Sequence, residues 1–117
     1  MSNLSVAIAT YNEEENISRC LRSVVSWVDE IVVVDGGSRD KTVEIAEQYG
    51  VKVIQTTNPP IFHINKQKAF DACRGKWILQ LDADEVVSDA LKTEMQGIVV
   101  MSQDQLRHRK IEEQRKR

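Results

Sequence analysis

The stretch Trp77–Val87, which reads WILQLDADEVV, decides how the rest of the chain is interpreted. Its first six residues are mostly apolar β-formers and predict a buried strand. Three carboxylates stand at the end of that strand: Asp82, Asp84 and Glu85. Two carboxylates two positions apart in a turn can converge on one hard cation, and Mg²⁺ or Mn²⁺ accepts one or two such oxygens. The alternative is a solvated acidic loop in which Asp84 or Ser88 caps the next helix.

The size and composition of the chain are those of one soluble globular domain. It has 117 residues, of which 41% are hydrophobic and 29% are charged, a balance that argues against disorder. No apolar run approaches the ~20 residues that a membrane-spanning helix needs. The N-terminal residues MSNLSVAIAT lack the basic start and the long apolar core of a signal peptide. We therefore expect a cytoplasmic protein.

The cysteines and the charges exclude several classes of protein. Cys20 and Cys73 are far apart in the sequence and form no CxxC pair, so we expect buried thiols and no zinc site or disulfide. Residues 1–106 carry 10 Lys or Arg against 16 Asp or Glu, and this acidic body argues against nucleic-acid binding. Residues 101–117 form a polar, basic tail, expected to be helical or disordered. Contact of this tail with RNA or an anionic membrane surface is the alternative.

Four strand-like runs alternate with four segments of helical periodicity. The predicted strands are Leu4–Ala9, Glu30–Asp35, Val51–Gln55 and Trp77–Asp82. Alternation of this kind predicts an α/β fold, a Rossmann-like parallel sheet of about four strands with right-handed crossovers and helices on both faces. Because Lys52 interrupts the third strand, we expect that strand near an edge of the sheet.

The helices have recognisable ends and apolar faces. Asn12 and Glu15 resemble a capping box before the first helix, whose apolar stripe runs from Ile17 to Val28. Ser38 or Asp40 caps the second helix, and Gly50 follows it as a C′ glycine. The residues expected to point inward from the last two helices are Ala69, Phe70 and Cys73 in His63–Arg74, and Leu91, Met95 and Ile98 after the start at Ser88.

Three predicted strands end in polar residues. These ends are Thr10-Tyr11-Asn12, Asp35-Gly36-Gly37-Ser38 and Asp82-Ala83-Asp84. The carboxyl ends of parallel strands meet at one edge of a sheet, where ligands bind. For Asp35 the alternative is a structural role, in which its carboxylate accepts the amides of the glycine turn.

The kind of ligand is restricted by what the turns lack. The chain has no GxGxxG and no GxxxxGK[ST] motif, and its first helix begins with three glutamates, which repel phosphate. A phosphorylated ligand at this edge therefore needs a cation, and the pair Asp82 and Asp84 is the place for it. Lys66 and Lys68 would add positive charge near the phosphates, unless they are simply solvated lysines.

Three stretches, taken in order, resemble a known family. SVAIATYNEEENISRCLRSV, DEIVVVDGGSRDKTVEIAEQYG and GKWILQLDADE are similar to the nucleotide-binding half of family 2 glycosyltransferases with the GT-A fold, most of all the lipopolysaccharide-core type. The resemblance implies a nucleotide-sugar-binding domain over residues 1–100. It also implies a nucleoside diphosphate sugar as donor, with a UDP-sugar favoured, and a divalent metal, Mg²⁺ or Mn²⁺.

The same resemblance implies the reaction and its setting. Members of the family transfer the sugar with inversion to a glycan or lipid-linked acceptor. For this chain that implies cell-envelope polysaccharide biosynthesis, in the cytoplasm or peripheral to the inner face of the membrane.

The resemblance also assigns residues to the donor site. The Thr10-Tyr11-Asn12 turn and Asp35 are implied to lie around the base and ribose. Asp82 and Asp84 match the family's DxD motif, with Asp84 as the direct metal ligand and Asp82 reaching the ribose or a metal-bound water. Together with Lys66 from the argument above, the residues expected to bind the donor are Thr10, Tyr11, Asn12, Glu14, Asp35, Lys66, Asp82 and Asp84.

The chain departs from the family pattern in two places. Gly36 stands where many members have a second acid, and nothing after Ile98 resembles the half that holds the acceptor site and the catalytic base. We therefore expect the base to lie outside this chain and the chain to self-associate through an exposed flank of the sheet. The alternative is a non-catalytic nucleotide-sugar-binding module or one completed by a partner. A receiver-like or phosphatase-like domain would need a lysine at the end of a later strand, and this chain has none there.

Overall fold

The structure, a computed structural model, describes residues 4–57 and 62–100; the predicted tail at 101–117 lies outside the described residues. Strands and helices alternate throughout. Their order is β1 (Leu4–Thr10), α1 (Ile17–Arg22), β2 (Glu30–Asp35), α2 (Thr42–Gln48), β3 (Lys52–Gln55), α3 (Phe62–Ala72), β4 (Trp77–Asp82) and α4 (Asp89–Val99). The predicted α/β alternation is confirmed, and the predicted bounds of β2 and β4 match the structure at both ends.

All four strands are parallel and form one sheet with the order β3-β2-β1-β4. The buried strands β1 and β2 lie in the middle. Strand β3, with its exposed Lys52, is an edge strand as predicted. In the register of the sheet Thr10 pairs with Asp35, and Ala9 pairs with Asp82. The polar ends of β1, β2 and β4 are therefore level with one another at one edge of the sheet.

Helices cover both faces of the sheet. Alternate residues of each strand point to opposite sides, and on β1 and β2 both sets include apolar residues that must be buried. The larger core packs strand residues such as Val6 and Ile8 against residues of α1, α2 and α4. The smaller core packs Ala7, Val32 and Val34 against Ala69 of α3. Helix α3 is thus the only helix of the described residues on its face.

Two details of the predicted helices are wrong. Helix α1 is only six residues long and begins at Ile17, while Asn12 has φ 54° and caps no helix. The chain continues after α1 in turns, so Val24 is buried but Val25 is 38% exposed. Phe70 is also 38% exposed, because α3 reaches the sheet through Ala69 and not through its neighbour.

Other predicted helix ends and inward residues are confirmed. The Ser88 hydroxyl accepts a hydrogen bond from the Leu91 amide at 3.1 Å and so caps α4. Gly50, with φ 73°, follows α2 as a left-handed residue. Met95 and Ile98 of α4 are fully buried. None of the helices described is long and apolar enough to cross a membrane.

Both cysteines are free thiols; Cys20 is buried as predicted, whereas Cys73 is only partly buried. Cys20 lies in the larger core and Cys73 packs against the smaller one. Burial raises the pKa of the Cys73 thiol to about 11, so this thiol is almost entirely protonated at neutral pH.

Candidate functional site

The ends of β1 and β2 are joined by a buried carboxylate. Asp35 is 1% exposed, and its Oδ1 accepts the Thr10 hydroxyl at 2.7 Å and the Ser38 hydroxyl at 2.6 Å. Its Oδ2 accepts the amides of Gly37 and Ser38 at 3.0 and 2.7 Å. Four donors of the protein therefore satisfy this charge, as a buried charge requires. The structural role that was open for Asp35 is confirmed: it holds the glycine turn.

The loop after β1 is bonded to the loop after β2. We call residues 11–16 and 36–41 the loop pair. The Asn12 amide donates to the Ser38 hydroxyl at 2.7 Å, and the Asn12 side-chain oxygen accepts the Arg39 amide at 2.8 Å. Glu14 accepts the Lys41 amide at 2.9 Å. Two predicted site residues, Asn12 and Glu14, thus hold the loop pair together, and Tyr11 lies half-buried beside them.

Asp40 is a member of the loop pair for which the sequence predicted only a helix cap. Its carboxylate accepts the Thr42 amide at 3.0 Å and the Glu14 amide at 3.2 Å, and it also accepts the Thr42 hydroxyl. Burial raises the pKa of the Asp40 carboxyl, but these hydrogen bonds outweigh it and hold the pKa below its ordinary value. The ionised form of Asp40 therefore stabilises the loop pair.

The loop pair encloses an acidic cavity. The cavity has a volume of about 320 Å³ and is lined by Asn12, Glu13, Glu14, Glu15, Asn16 and Asp40. Carboxylates on this wall repel phosphate groups. A phosphorylated ligand at this edge would therefore need a positive charge beside its phosphates.

The acidic residues Asp82, Asp84 and Glu85 at the end of β4 form a closed turn, residues 82–85, which we call the acidic turn. The Asp82 amide donates to the Glu85 carboxylate at 2.9 Å, and the Glu85 amide donates to the Asp82 carbonyl at 2.9 Å. Glu85 is thereby used to hold the turn. Asp84 is exposed and has no hydrogen bond or ion pair within the described part of the chain.

Helix α3 brings one lysine to this turn. The ammonium nitrogen of Lys66 lies 2.9 Å from Oδ1 of Asp82, in an ion pair whose side chains are 36% and 48% exposed. Lys68 is exposed and has no ion pair among the residues described. Of the two lysines that the sequence offered, the structure therefore places only Lys66 against the acidic turn.

Buried polar contacts fix the position of Lys66. Its neighbour Asn65 is fully buried, and the Asn65 side-chain oxygen accepts the Thr56 hydroxyl at 3.2 Å. The Gln80 side chain of β4 donates to the Lys66 carbonyl at 3.3 Å. Asn65 and Gln80 were not predicted as site residues from the sequence. The one available signal was that each is a polar residue among the inward-facing positions of its element, α3 for Asn65 and β4 for Gln80.

The acidic turn fits a divalent cation that is shared with a ligand. Among the described residues no group of three or more His, Cys, Asp or Glu is placed to hold a metal. Asp82 and Asp84 supply two carboxylates, which is what Mg²⁺ uses when phosphates and water complete its coordination. Asp82 already faces a positive charge, and Asp84 is open to solvent.

Comparison with known proteins identifies the family. The profile of Glycosyl transferase family 2 matches residues 5–99. An uncharacterized glycosyltransferase of Rickettsia felis is 44% identical over 100 residues, which cover 84% of this chain and 34% of that protein.

Two solved structures show a similar fold. TarS 1-349 of S. aureus, in complex with UDP, is 29% identical with a TM-score of 0.70, over 82% of this chain and 32% of TarS. Glucosyl-3-phosphoglycerate synthase from Mycobacterium tuberculosis, in complex with Mn²⁺, UDP-glucose and phosphoglyceric acid, is 25% identical with a TM-score of 0.61, over 70% of this chain and 33% of the synthase.

The chain spans about a third of the length of these proteins. Within that span, the predicted GT-A-type α/β fold and the predicted family are both confirmed. Since the family profile covers nearly all of the described residues, this chain belongs to glycosyl transferase family 2.

Proposed function

We propose that residues 1–100 form the donor-binding domain of a glycosyltransferase that uses a nucleoside diphosphate sugar, with a UDP-sugar favoured. One observation carries the proposal. The register of the sheet sets Thr10 beside Asp35 and Ala9 beside Asp82, so that the loop pair and the acidic turn share one edge. The UDP bound to TarS and the UDP-glucose bound to the M. tuberculosis synthase support this choice of ligand.

The base and ribose are proposed to bind at the loop pair. Thr10, Tyr11, Asn12 and Glu14 line or support this end, and Asp35 shapes the turn below them. Because each Asp35 oxygen already accepts two hydrogen bonds, we propose that Asp35 acts on the base and ribose by shaping the turn, and that its neighbours in the loop pair make the direct contacts.

The diphosphate is proposed to bind at the acidic turn. Asp84 would hold Mg²⁺ or Mn²⁺ directly, and Asp82 would contact the ion, its water or the ribose. When bound, such an ion offsets the negative charge that develops on the leaving nucleoside diphosphate. Lys66 adds a positive charge at the same end, since its ammonium group already lies against Asp82.

Acceptor binding and sugar transfer are further parts of the proposal. The family resemblance supports inverting transfer to a glycan or lipid-linked acceptor, in cell-envelope polysaccharide biosynthesis of the lipopolysaccharide type, in the cytoplasm or at the inner face of the membrane. We place the catalytic base outside this chain. Glu85, the carboxylate nearest to the Asp82–Asp84 pair in sequence, accepts the Asp82 amide and serves the turn.

Calorimetric titration tests the donor site. UDP and UDP-glucose are titrated into the wild type and Asp84→Ala, with and without Mn²⁺. We expect Mn²⁺-dependent binding in the wild type, and binding at least about tenfold weaker in Asp84→Ala, because a direct ligand should cost no less than a supporting group.

Asp89→Ala is the matched control. Asp89 is also an exposed carboxylate, but it begins α4 and lies outside the acidic turn. It should bind UDP as the wild type does. UDP binding that is indifferent to Mn²⁺, or equally weakened in both variants, would contradict the proposed site.

A further inference from the structure

We propose that Lys66 is the resident counter-ion of Asp82 and that it exchanges partners when the donor binds. In this exchange the divalent ion takes the place of the ammonium group at the Asp82 carboxylate, and the ammonium group moves to the phosphates of the donor. The inference rests on the proposed function and adds the state of the site before the ligand arrives.

The ion pair is built into the fold on the helix side. Asn65, the residue before Lys66, is fully buried and bonded to Thr56, and the backbone carbonyl of Lys66 itself accepts the Gln80 side chain. Ala69, one turn further along α3, is fully buried against the sheet. The backbone of Lys66 is therefore fixed, while the long side chain beyond it remains partly exposed and able to move.

The ion pair is equally defined on the strand side. Asp82 is held by its register beside Ala9 and by the two hydrogen bonds with Glu85. Gln80 and Asp82 are two residues apart on β4 and both contact Lys66, so they lie on the same face of the strand. The two carboxylates of the turn thus differ: Asp82 has a cation from the protein, and Asp84 has none within the described residues.

This difference has a consequence for the order of binding. A metal ion that arrives alone must displace the ammonium group from Asp82 or bind beside a like charge, so its affinity is reduced. A half-exposed ion pair is weak, and the displacement is therefore small in cost. When a diphosphate is present the displaced ammonium group gains phosphate oxygens, which it binds as a point charge. Metal and nucleotide then strengthen each other's binding, and this coupling is reciprocal.

The test measures Mn²⁺ binding itself. Free Mn²⁺ is followed by electron paramagnetic resonance in titrations of the wild type and Lys66→Met, with and without UDP. Without UDP, we expect Lys66→Met to bind Mn²⁺ about two- to fivefold more tightly, because the competing cation is gone. With UDP, the gain in Mn²⁺ affinity that the nucleotide gives the wild type should shrink by about the same factor or more.

Two variants serve as controls. Lys68→Met removes the same charge from the same helix without touching Asp82, and it should match the wild type in both titrations. Lys66→Arg keeps a cation at the position and should retain the coupling between Mn²⁺ and UDP. Thermal unfolding of each variant checks that α3 is intact.

The outcomes separate this inference from the proposed function. If the wild type binds UDP with Mn²⁺ but Lys66→Met binds Mn²⁺ no more tightly, the exchange is wrong and the donor site stands. If Lys68→Met reproduces the effect of Lys66→Met, general surface charge is the cause and the exchange is again wrong. If the wild type binds neither Mn²⁺ nor UDP, both the donor site and the exchange are overturned.

Discussion

A single carboxylate, Asp35, determines the shape of the turn after β2. Burying it without partners would cost several kcal/mol, roughly, and the four donors around it remove that cost. The same four donors leave the carboxylate little freedom to serve a ligand directly. In this site a buried charge, Asp35, positions backbone groups, and an exposed charge, Asp84, faces the solvent.

Two glycines of this chain are expected to respond to alanine in opposite directions. A Cβ at Gly75 would lie 2.6 Å from the Ser5 hydroxyl and 2.8 Å from the Ser5 backbone nitrogen, so Gly75→Ala should lower the free energy of unfolding by about 1–3 kcal/mol. Gly97 lies within α4 with nothing inside 4 Å of its Cβ position, so Gly97→Ala should raise the free energy of unfolding by about 0.5–1 kcal/mol.

Urea unfolding of the two variants and the wild type measures both effects. Equal effects from the two substitutions would show that the close approach of Gly75 to Ser5 has no influence on stability.

The loop pair, which connects β1 to α1 and β2 to α2, depends on an ionised carboxylate. The pKa of Asp40 is lowered in the folded protein, so its stabilising effect is complete above the ordinary Asp pKa of about 3.9 and is lost as the pH falls through the lowered value. We expect the wild type to be more stable than Asp40→Asn at pH 7. This difference should shrink as the pH falls below about 4.

Urea unfolding of both proteins between neutral pH and the acid range measures the difference. Glu30 also loses a stabilising effect in acid, because its pKa is lowered in the folded protein: burial raises this pKa, but hydrogen bonds from the Arg74 amide and the Ser5 hydroxyl lower it by more. Because Glu30 is present in both proteins, its own loss of stabilisation cancels. A difference that stays constant with pH would mean that the charge of Asp40 does not hold the loop pair.

The strands were predicted more accurately than the helices, for a physical reason. Runs such as EIVVVD are buried on both faces, and any shift of register would leave apolar residues in water. The capping box of Asn12 and Glu15 was wrong because Asn12 is bonded to Arg39, 27 positions away. Local spacing contains no information about such a contact, and it cannot tell which apolar residue of α3 meets the sheet.

The two edges of the sheet differ in charge. Edge strand β3 carries the exposed Lys52, a charge of the kind that prevents strands of separate molecules from pairing. Strand β4 has no charged residue before Asp82 and no neighbour on its outer side among the described residues. The predicted self-association through a sheet flank stays a prediction, and β4 is the strand that we propose for it.

Sedimentation velocity at increasing protein concentration tests this proposal. We expect the wild type to form dimers at high concentration. Gln55→Lys adds a charge to the other edge strand, β3, and should dimerise as the wild type does, because β3 lies away from the proposed interface. A wild type that stays monomeric at every concentration would contradict the proposal.

The convergence of the candidate site was predictable, while its internal contacts were not. Parallel topology alone brings Thr10, Asp35 and Asp82 to one edge, and the register confirms it. The pairing of Lys66 with Asp82, in contrast, depends on how α3 is set over the sheet by Asn65 and Gln80. That placement is a property of the packed molecule and has no counterpart in the spacing of residues.

The strand order β3-β2-β1-β4 also determines when the site becomes complete during synthesis. The first strand to be made, β1, lies between β2, which follows it, and β4, which is made last. The Gly75–Ser5 hydrogen bond, next to β4, already joins residues 70 positions apart. A growing chain can therefore pair β1 with β2 and close the loop pair early, whereas the place beside β1 stays open until β4 has been made. Asp82 and Asp84 arrive with the last of these four strands, so the acidic turn that we propose as the metal site forms after the loop pair.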